Sequence, residues 1–193
     1  CYRAVLEALG AFDADGPAVL GVTATPGRGD GIGLDGVFQE IVYTMGILDG
    51  IRGGYLCDVR AVQVRLDTDF SAVRVRGGDL ADGDLGDELI AADAPEHVAA
   101  AYLEHAAGRR AIVFTPTVAV ARLMADALND AGVAAAWVSG ETPRDERAAT
   151  LGALRDGSVR VVANAALLTE GFDLPQLGCV VVARPTKSTA LYQ

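Results

Sequence analysis

Lysine is almost missing from this chain: of 16 basic residues only Lys187 is a lysine, and arginine supplies the rest, a bias that fits genome composition better than function. Against 26 acidic residues this leaves a formal charge of −10 and a pI near 4.5. Such a balance argues against a general polyanion-binding surface, because non-specific nucleic-acid affinity comes from clustered Lys and Arg that release counterions. Cysteine is scarce too. Cys1, Cys57 and Cys179 are odd in number, scattered and without a CxxC pair, which excludes a disulfide framework and a zinc site and leaves core or incidental thiols of a reducing compartment. The two histidines, His97 and His105, have no cysteine or third ligand near them and read as surface or packing residues, so no metal site is expected. Although 51% of the residues are hydrophobic, no apolar run approaches the ~20 residues of a membrane helix, and Cys1-Tyr2-Arg3 does not open a signal peptide. The expectation is a soluble cytoplasmic protein with no membrane partner.

What is present is a succession of short apolar runs, each closed by polar residues. Tyr2 to Ala11 has Val5, Leu6 and Leu9 at helical spacing, and Ala18 to Val22 follows as a strand. Gly27 to Gly36 is too glycine-rich to be an element. Val37 to Leu48 returns to helical spacing, and Val59 to Leu66 alternates as a strand with one wet face. The Gly-Asp-rich text from Asp67 to Asp93 has the composition of a solvated connector. Beyond it, Ala94 to Ala107 reads as a helix with Pro95 in its first turn and Gly108 after its end. Ala111 to Phe114 reads as a buried strand, and Thr115-Pro116-Thr117 caps a helix carrying Val120, Leu123, Met124, Ala127, Leu128 and Ala131 at the 3.6 period. Val133 to Val138 is a strand, Thr142-Pro143-Arg144-Asp145 has the form of a capping box, and Gly157 ends the helix that carries Leu151 and Leu154. Strand, helix, strand, helix, strand predicts an α/β fold with a parallel sheet flanked by helices. The main domain is placed at 94–193, and 1–93 is read as the remnant of a preceding domain plus the acidic connector.

Four polar segments stand where strands hand over to loops, the edge at which open α/β sheets bind ligands. Thr23-Ala24-Thr25-Pro26 offers two hydroxyls at a strand end that Pro26 prevents from continuing. Phe114-Thr115 closes a strand just before a helix N-terminus, where a hydroxyl suits either a cap or a phosphate contact. Thr169-Glu170-Gly171-Phe172-Asp173-Leu174-Pro175 places a carboxylate two residues beyond a glycine; the glycine lets backbone approach a phosphate and the carboxylate can accept ribose hydroxyls. Ala183-Arg184-Pro185-Thr186 runs on to Gln193.

In order and wording these four segments resemble the superfamily 2 nucleic-acid helicases, the DEAD/DEAH-box group, and within it the branch shared with type III restriction helicase subunits. The resemblance implies a RecA-like sheet in the main domain, the helicase C-terminal domain, preceded by the end of a first RecA-like domain. It implies that Thr23 and Thr25 couple the ATP site to the nucleic-acid site. Gly171, Asp173 and Gln193 would then face ATP, while Thr115 and Thr169 face the nucleic-acid strand, DNA or RNA. ATP and Mg²⁺ would be held mainly by a first RecA-like domain in cis, and no catalytic residue is assigned to the chain itself. Lys187-Ser188 lacks the glycine of a phosphate loop, and Asp87-Glu88 follows Thr23-Ala24-Thr25 where the family places its acidic Mg²⁺ box before it. Two rival readings remain open on sequence: the sugar-nucleotide half of a glycosyltransferase-like Rossmann protein, and a non-catalytic interaction module.

Overall fold

Residues 2–23, 36–165, 167 and 172–186 are described by a computed structural model of the chain. Described residues up to Ala61 belong to one compact unit, and Val62–Lys187 forms a second.

The first unit contains two short helices, α1 (Tyr2–Ala8) and α2 (Ile47–Arg52). α1 is reinforced by a 2.9 Å contact from Arg3 to Glu7 one turn on. The runs expected as strands, Ala18 to Val22 and Val59 to Leu66, enter no β-ladder, and the helix expected from Val37 begins only at Ile47. The physical reason is the absence of partners among the described residues. A strand is stable only when its backbone N–H and C=O groups meet another strand and its apolar face meets a core. Here Leu20, Val22, Ile41, Val42 and Val59 all stand exposed, Val22 at 92%.

The second unit opens with a 3₁₀ turn (Phe70–Ala72) and a small antiparallel hairpin, β1 (Val75–Arg76) and β2 (Asp79–Leu80). There follow α3 (Asp82–Ala91), α4 (Ala94–His105), β3 (Arg110–Thr115), α5 (Val118–Asp130), β4 (Ala135–Val138), α6 (Arg144–Asp156), β5 (Val161–Ala165) and β6 (Leu177–Val182). The four long strands form one parallel sheet in the order β4-β5-β3-β6. Successive side chains of β3 point to opposite faces. Ala111 and Val113 join a large apolar cluster with α3, α4 and α5, whereas Ile112 joins a smaller one with Leu154 of α6, Val162 of β5 and Leu174. Four of the five residues of β5 are buried, as expected of a strand covered on both faces.

The acidic stretch is a correction to the sequence reading. Instead of a solvated connector it forms the hairpin and α3, whose Leu85 and Leu89, one turn apart, sit in the large cluster beside Val98, Val120 and Met124. Burial of each leucine contributes about 1.5–3 kcal/mol. Asp87 stands exposed on the opposite face, and Asp82 and Asp84 lie in the first turn, where the helix dipole favours them. Gly86 permits the close approach: a Cβ there would stand 3.0 Å from the Thr117 side chain at the start of α5.

The remaining expectations for this unit hold with local changes. Thr117 rather than Thr115 caps α5, accepting from the Val120 N–H at 3.2 Å. Pro143 stands just before α6, and Thr142 makes no cap bond to that helix, its hydroxyl accepting instead from the Ser139 N–H at 2.9 Å. Gly157 ends α6 with φ +89°, a conformation that favours glycine. Tyr102 is buried and its hydroxyl donates to the Arg109 carbonyl at 2.6 Å, while Trp137 is 38% exposed. His97 places Nδ1 2.8 Å from the Asp93 carbonyl, a local packing role.

Candidate functional site

The C-terminal edge of the parallel sheet is formed by Thr115 at the end of β3, Ser139 after β4, Asn164 near the end of β5, and Ala183 after β6. At its centre stands a buried polar cluster. Thr115 is only 1% exposed, and its Oγ1 lies 3.1 Å from the carbonyls of both Thr117 and Asn164. One hydroxyl hydrogen thus faces two carbonyls, tying the N-cap of α5 to the neighbouring strand. Asn164 is fully buried; its Nδ2 donates to the Val113 carbonyl at 3.1 Å and its Oδ1 accepts from the Leu167 N–H at 3.3 Å. A buried amide satisfied in this way fixes one geometry, since breaking it strands a polar group in an apolar surround.

Asn164 was invisible as a site residue in the sequence reading. Its one signal is a lone amide in the apolar run Val161 to Leu168. The side chain secures the point where the loop after β5 begins. The described far end of that loop is anchored by its apolar residues: Leu174 is buried and Phe172 half-buried, both in the smaller cluster with Ile112, Val138 and Leu154. Asp173 lies between them and is exposed. The alternation therefore holds a carboxylate out to solvent on a backbone pinned on either side of it, and Asp173 has no hydrogen bond or ion pair among the described residues.

After β4 the chain turns tightly. Ser139 and Thr142 share this turn, the Ser139 Oγ accepting from the Glu141 N–H at 3.2 Å and the Thr142 N–H reaching the Ser139 carbonyl at 3.2 Å. Arg147, in the first turns of α6, donates from Nη2 to the Thr142 carbonyl at 3.3 Å, and its Nε is buried with no partner among the described residues. Arg147 thus brings a cation beside the turn after β4, one that no sequence motif singles out.

Of the sequence-predicted residues, Thr115 and Asp173 belong to this unit, one buried behind the edge and the other exposed beside it. Thr23 is exposed and lies in the first unit. Thr25, Thr169, Gly171 and Gln193 fall outside the described residues. Among the described residues no group of three or more His, Cys, Asp or Glu side chains is placed to hold a metal ion. No helix among them is long and apolar enough to cross a membrane.

Residues 93–193 match the family described as the helicase conserved C-terminal domain. Across 99% of its length the chain is 30% identical to a 51.5 kDa protein of a Lactococcus phage, of which it covers 41%. It is 29% identical to a Saccharomyces cerevisiae protein named as the ATP-dependent helicase IRC3, the match covering 98% of this chain and 28% of that protein. The chain thus spans less than half the length of either relative. Among solved structures, a DEAD box protein from the hyperthermophile Methanococcus jannaschii is similar over 52% of this chain and 27% of that one, at 18% identity and a TM-score of 0.46. The family match favours the helicase resemblance over the sugar-nucleotide alternative, and the four-stranded parallel sheet with helices on both faces agrees with the expected α/β architecture. The chain belongs to the family of helicase conserved C-terminal domains.

Proposed function

We propose that the chain supplies the second motor domain of an ATP-dependent helicase or translocase acting on DNA, with the segment before it forming the end of a first RecA-like domain. The observation that carries this reading is the loop that leaves β5. Asn164 fixes its start, Phe172 and Leu174 fix its far end, and Asp173 is held out to solvent between them. An exposed carboxylate on a fixed backbone is suited to accept hydrogen bonds from ribose hydroxyls. In the same reading Gly171 lets the backbone approach a phosphate, Gln193 contacts the nucleotide, and Thr169 meets a strand phosphate. Thr115, whose hydroxyl is already engaged at 3.1 Å by two carbonyls, holds the strand-facing edge from behind and reaches a phosphate only by exchanging one of those bonds. Arg147 adds a cation at the same edge. Thr23 and Thr25 couple the two sites from the first domain. ATP brings the phosphoryl group whose transfer drives the cycle, and Mg²⁺ and the groups that neutralise transferring charge belong to other parts of the longer protein.

Nucleic-acid binding by the 193-residue chain is expected to be weak and steeply salt-dependent. Few hydroxyl and backbone donors are present, and a charge of −10 opposes approach to a polyanion. Fluorescence anisotropy with labelled single-stranded DNA across a salt series measures this. Affinity that rises as salt falls supports the reading, and tight binding that is flat with salt contradicts it. A matched RNA oligonucleotide in the same series tests the choice of DNA.

A further inference from the structure

We propose that Asp79 and Asp82 are positioning residues that clasp the chain at Arg184 and Thr186, where it leaves β6. The clasp rests on geometry within the second unit; only its purpose for ATP binding rests on the function proposed above.

The ladder between β3 and β6 runs to Val182, and a bond from the Ala183 N–H to the Phe114 carbonyl at 2.9 Å extends it by one residue. The next residues are held by side chains. Arg184 brings Nη2 to 3.0 Å from Oδ1 of Asp82 in the first turn of α3, with the two side chains 19% and 49% exposed. Thr186 donates from Oγ1 to Oδ2 of Asp79 on β2 at 2.7 Å, across 107 residues of sequence. Pro185 between them has a fixed φ, so the two contacts are joined by a stiff link.

The pairing is selective. All four residues border or adjoin a cleft of about 450 Å³ lined by Arg74, Arg76, Asp79, Asp82, Asp84 and Arg184. Asp84 is taken by Arg74, which donates from Nε and Nη2 at 2.6 and 2.7 Å and holds the Asp84 carboxyl down at about 2. Arg184 is therefore left to Asp82. Three arginines facing three aspartates make the cleft close to neutral, which suits holding a segment and not attracting an anion. The clasp contacts are side-chain bonds outside the β-ladder, whose last pair is Phe114 with Val182.

Hydrogen exchange on the 193-residue chain tests the clasp. In Asp82→Asn and in Asp79→Asn, the Ala183 amide, which donates to the Phe114 carbonyl at 2.9 Å beside the clasp, should exchange about two- to fivefold faster, in keeping with the loss of one partly exposed contact, while β3 and β5 keep their protection. The double exchange Asp82→Arg with Arg184→Asp should bring the rate back towards the parent value. Unchanged exchange at Ala183 in both asparagine variants would overturn the clasp, as would an equal acceleration throughout β3 and β5. In the longer protein, Asp82→Asn should raise the KM for ATP several-fold with the melting temperature unmoved, and an unchanged KM beside faster exchange would refute the positioning role. If the longer protein turns over no ATP at all, the proposed function fails while the exchange result still decides the clasp.

Discussion

Leu85→Ala is expected to destabilise the chain by about 2–5 kcal/mol, the cost of emptying a fully buried leucine site. Leu85 is 0% exposed and packs in the cluster that joins α3 and α4 to α5 and the sheet. Urea unfolding followed through Trp137, the lone tryptophan, reads the second unit directly, since β4 lies within it. Asp87→Ala, on the exposed face of the same helix, is the control and should stay within about 0.5 kcal/mol of the parent. A Leu85→Ala effect as small as that of the control would mean that the acidic stretch is a connector after all.

The 193-residue chain is expected to release no phosphate from ATP above background. Phosphoryl transfer is driven by charge neutralisation and positioning, in which an arginine alone is worth about 10³–10⁵ in rate. The sequence carries no GxxxxGK[ST] phosphate loop, its lone lysine, Lys187, following a threonine. A phosphate-release assay with and without oligonucleotide, run beside a mock purification, checks this. Turnover that survives the mock control would place the catalytic groups within these 193 residues and overturn the division of labour proposed here.

The parallel core was legible in the sequence because local and global signals agree there. Ala111 to Phe114 is apolar throughout and β3 is buried on both faces; Val120, Met124 and Leu128 keep a helical period and all three face the cluster. The acidic stretch was not legible, because Leu85 and Leu89 lie one turn apart among four glycines and many aspartates, and propensity there speaks for a loop. Tertiary burial of two leucines outweighs it. The opposite failure occurs at Val37 to Leu48 and Val59 to Leu66. Periodicity there is strong, but neither run meets a partner strand among the described residues and most of its apolar side chains stand exposed, Leu66 alone of the second run packing against the large cluster.

The candidate site was legible only in its exposed part. A carboxylate two residues after a glycine is a pattern on the page, and Asp173 does stand exposed beside the sheet edge. What steadies it is not a local pattern. Asn164 bonds to a strand 51 residues away, and Thr115 to a carbonyl 49 residues away, contacts that only the folded sheet brings together. Thr115 shows the limit most clearly, since a hydroxyl at a strand end reads as available in sequence and is buried in the fold.

The central claim, that this sheet edge serves ATP on one side and a nucleic-acid strand on the other, is tested most directly by nucleic-acid-stimulated ATP hydrolysis in the longer protein carrying Thr169→Ala or Asp173→Ala. Loss of one hydroxyl contact costs about 0.5–1.5 kcal/mol, so Thr169→Ala should raise the DNA concentration needed for half-maximal stimulation by roughly two- to tenfold and leave the KM for ATP in place. Asp173→Ala should instead raise the KM for ATP, with DNA affinity little changed. Two substitutions that shift only the melting temperature, with both ligand dependences intact, would contradict the account and leave the segment a turn between buried strands.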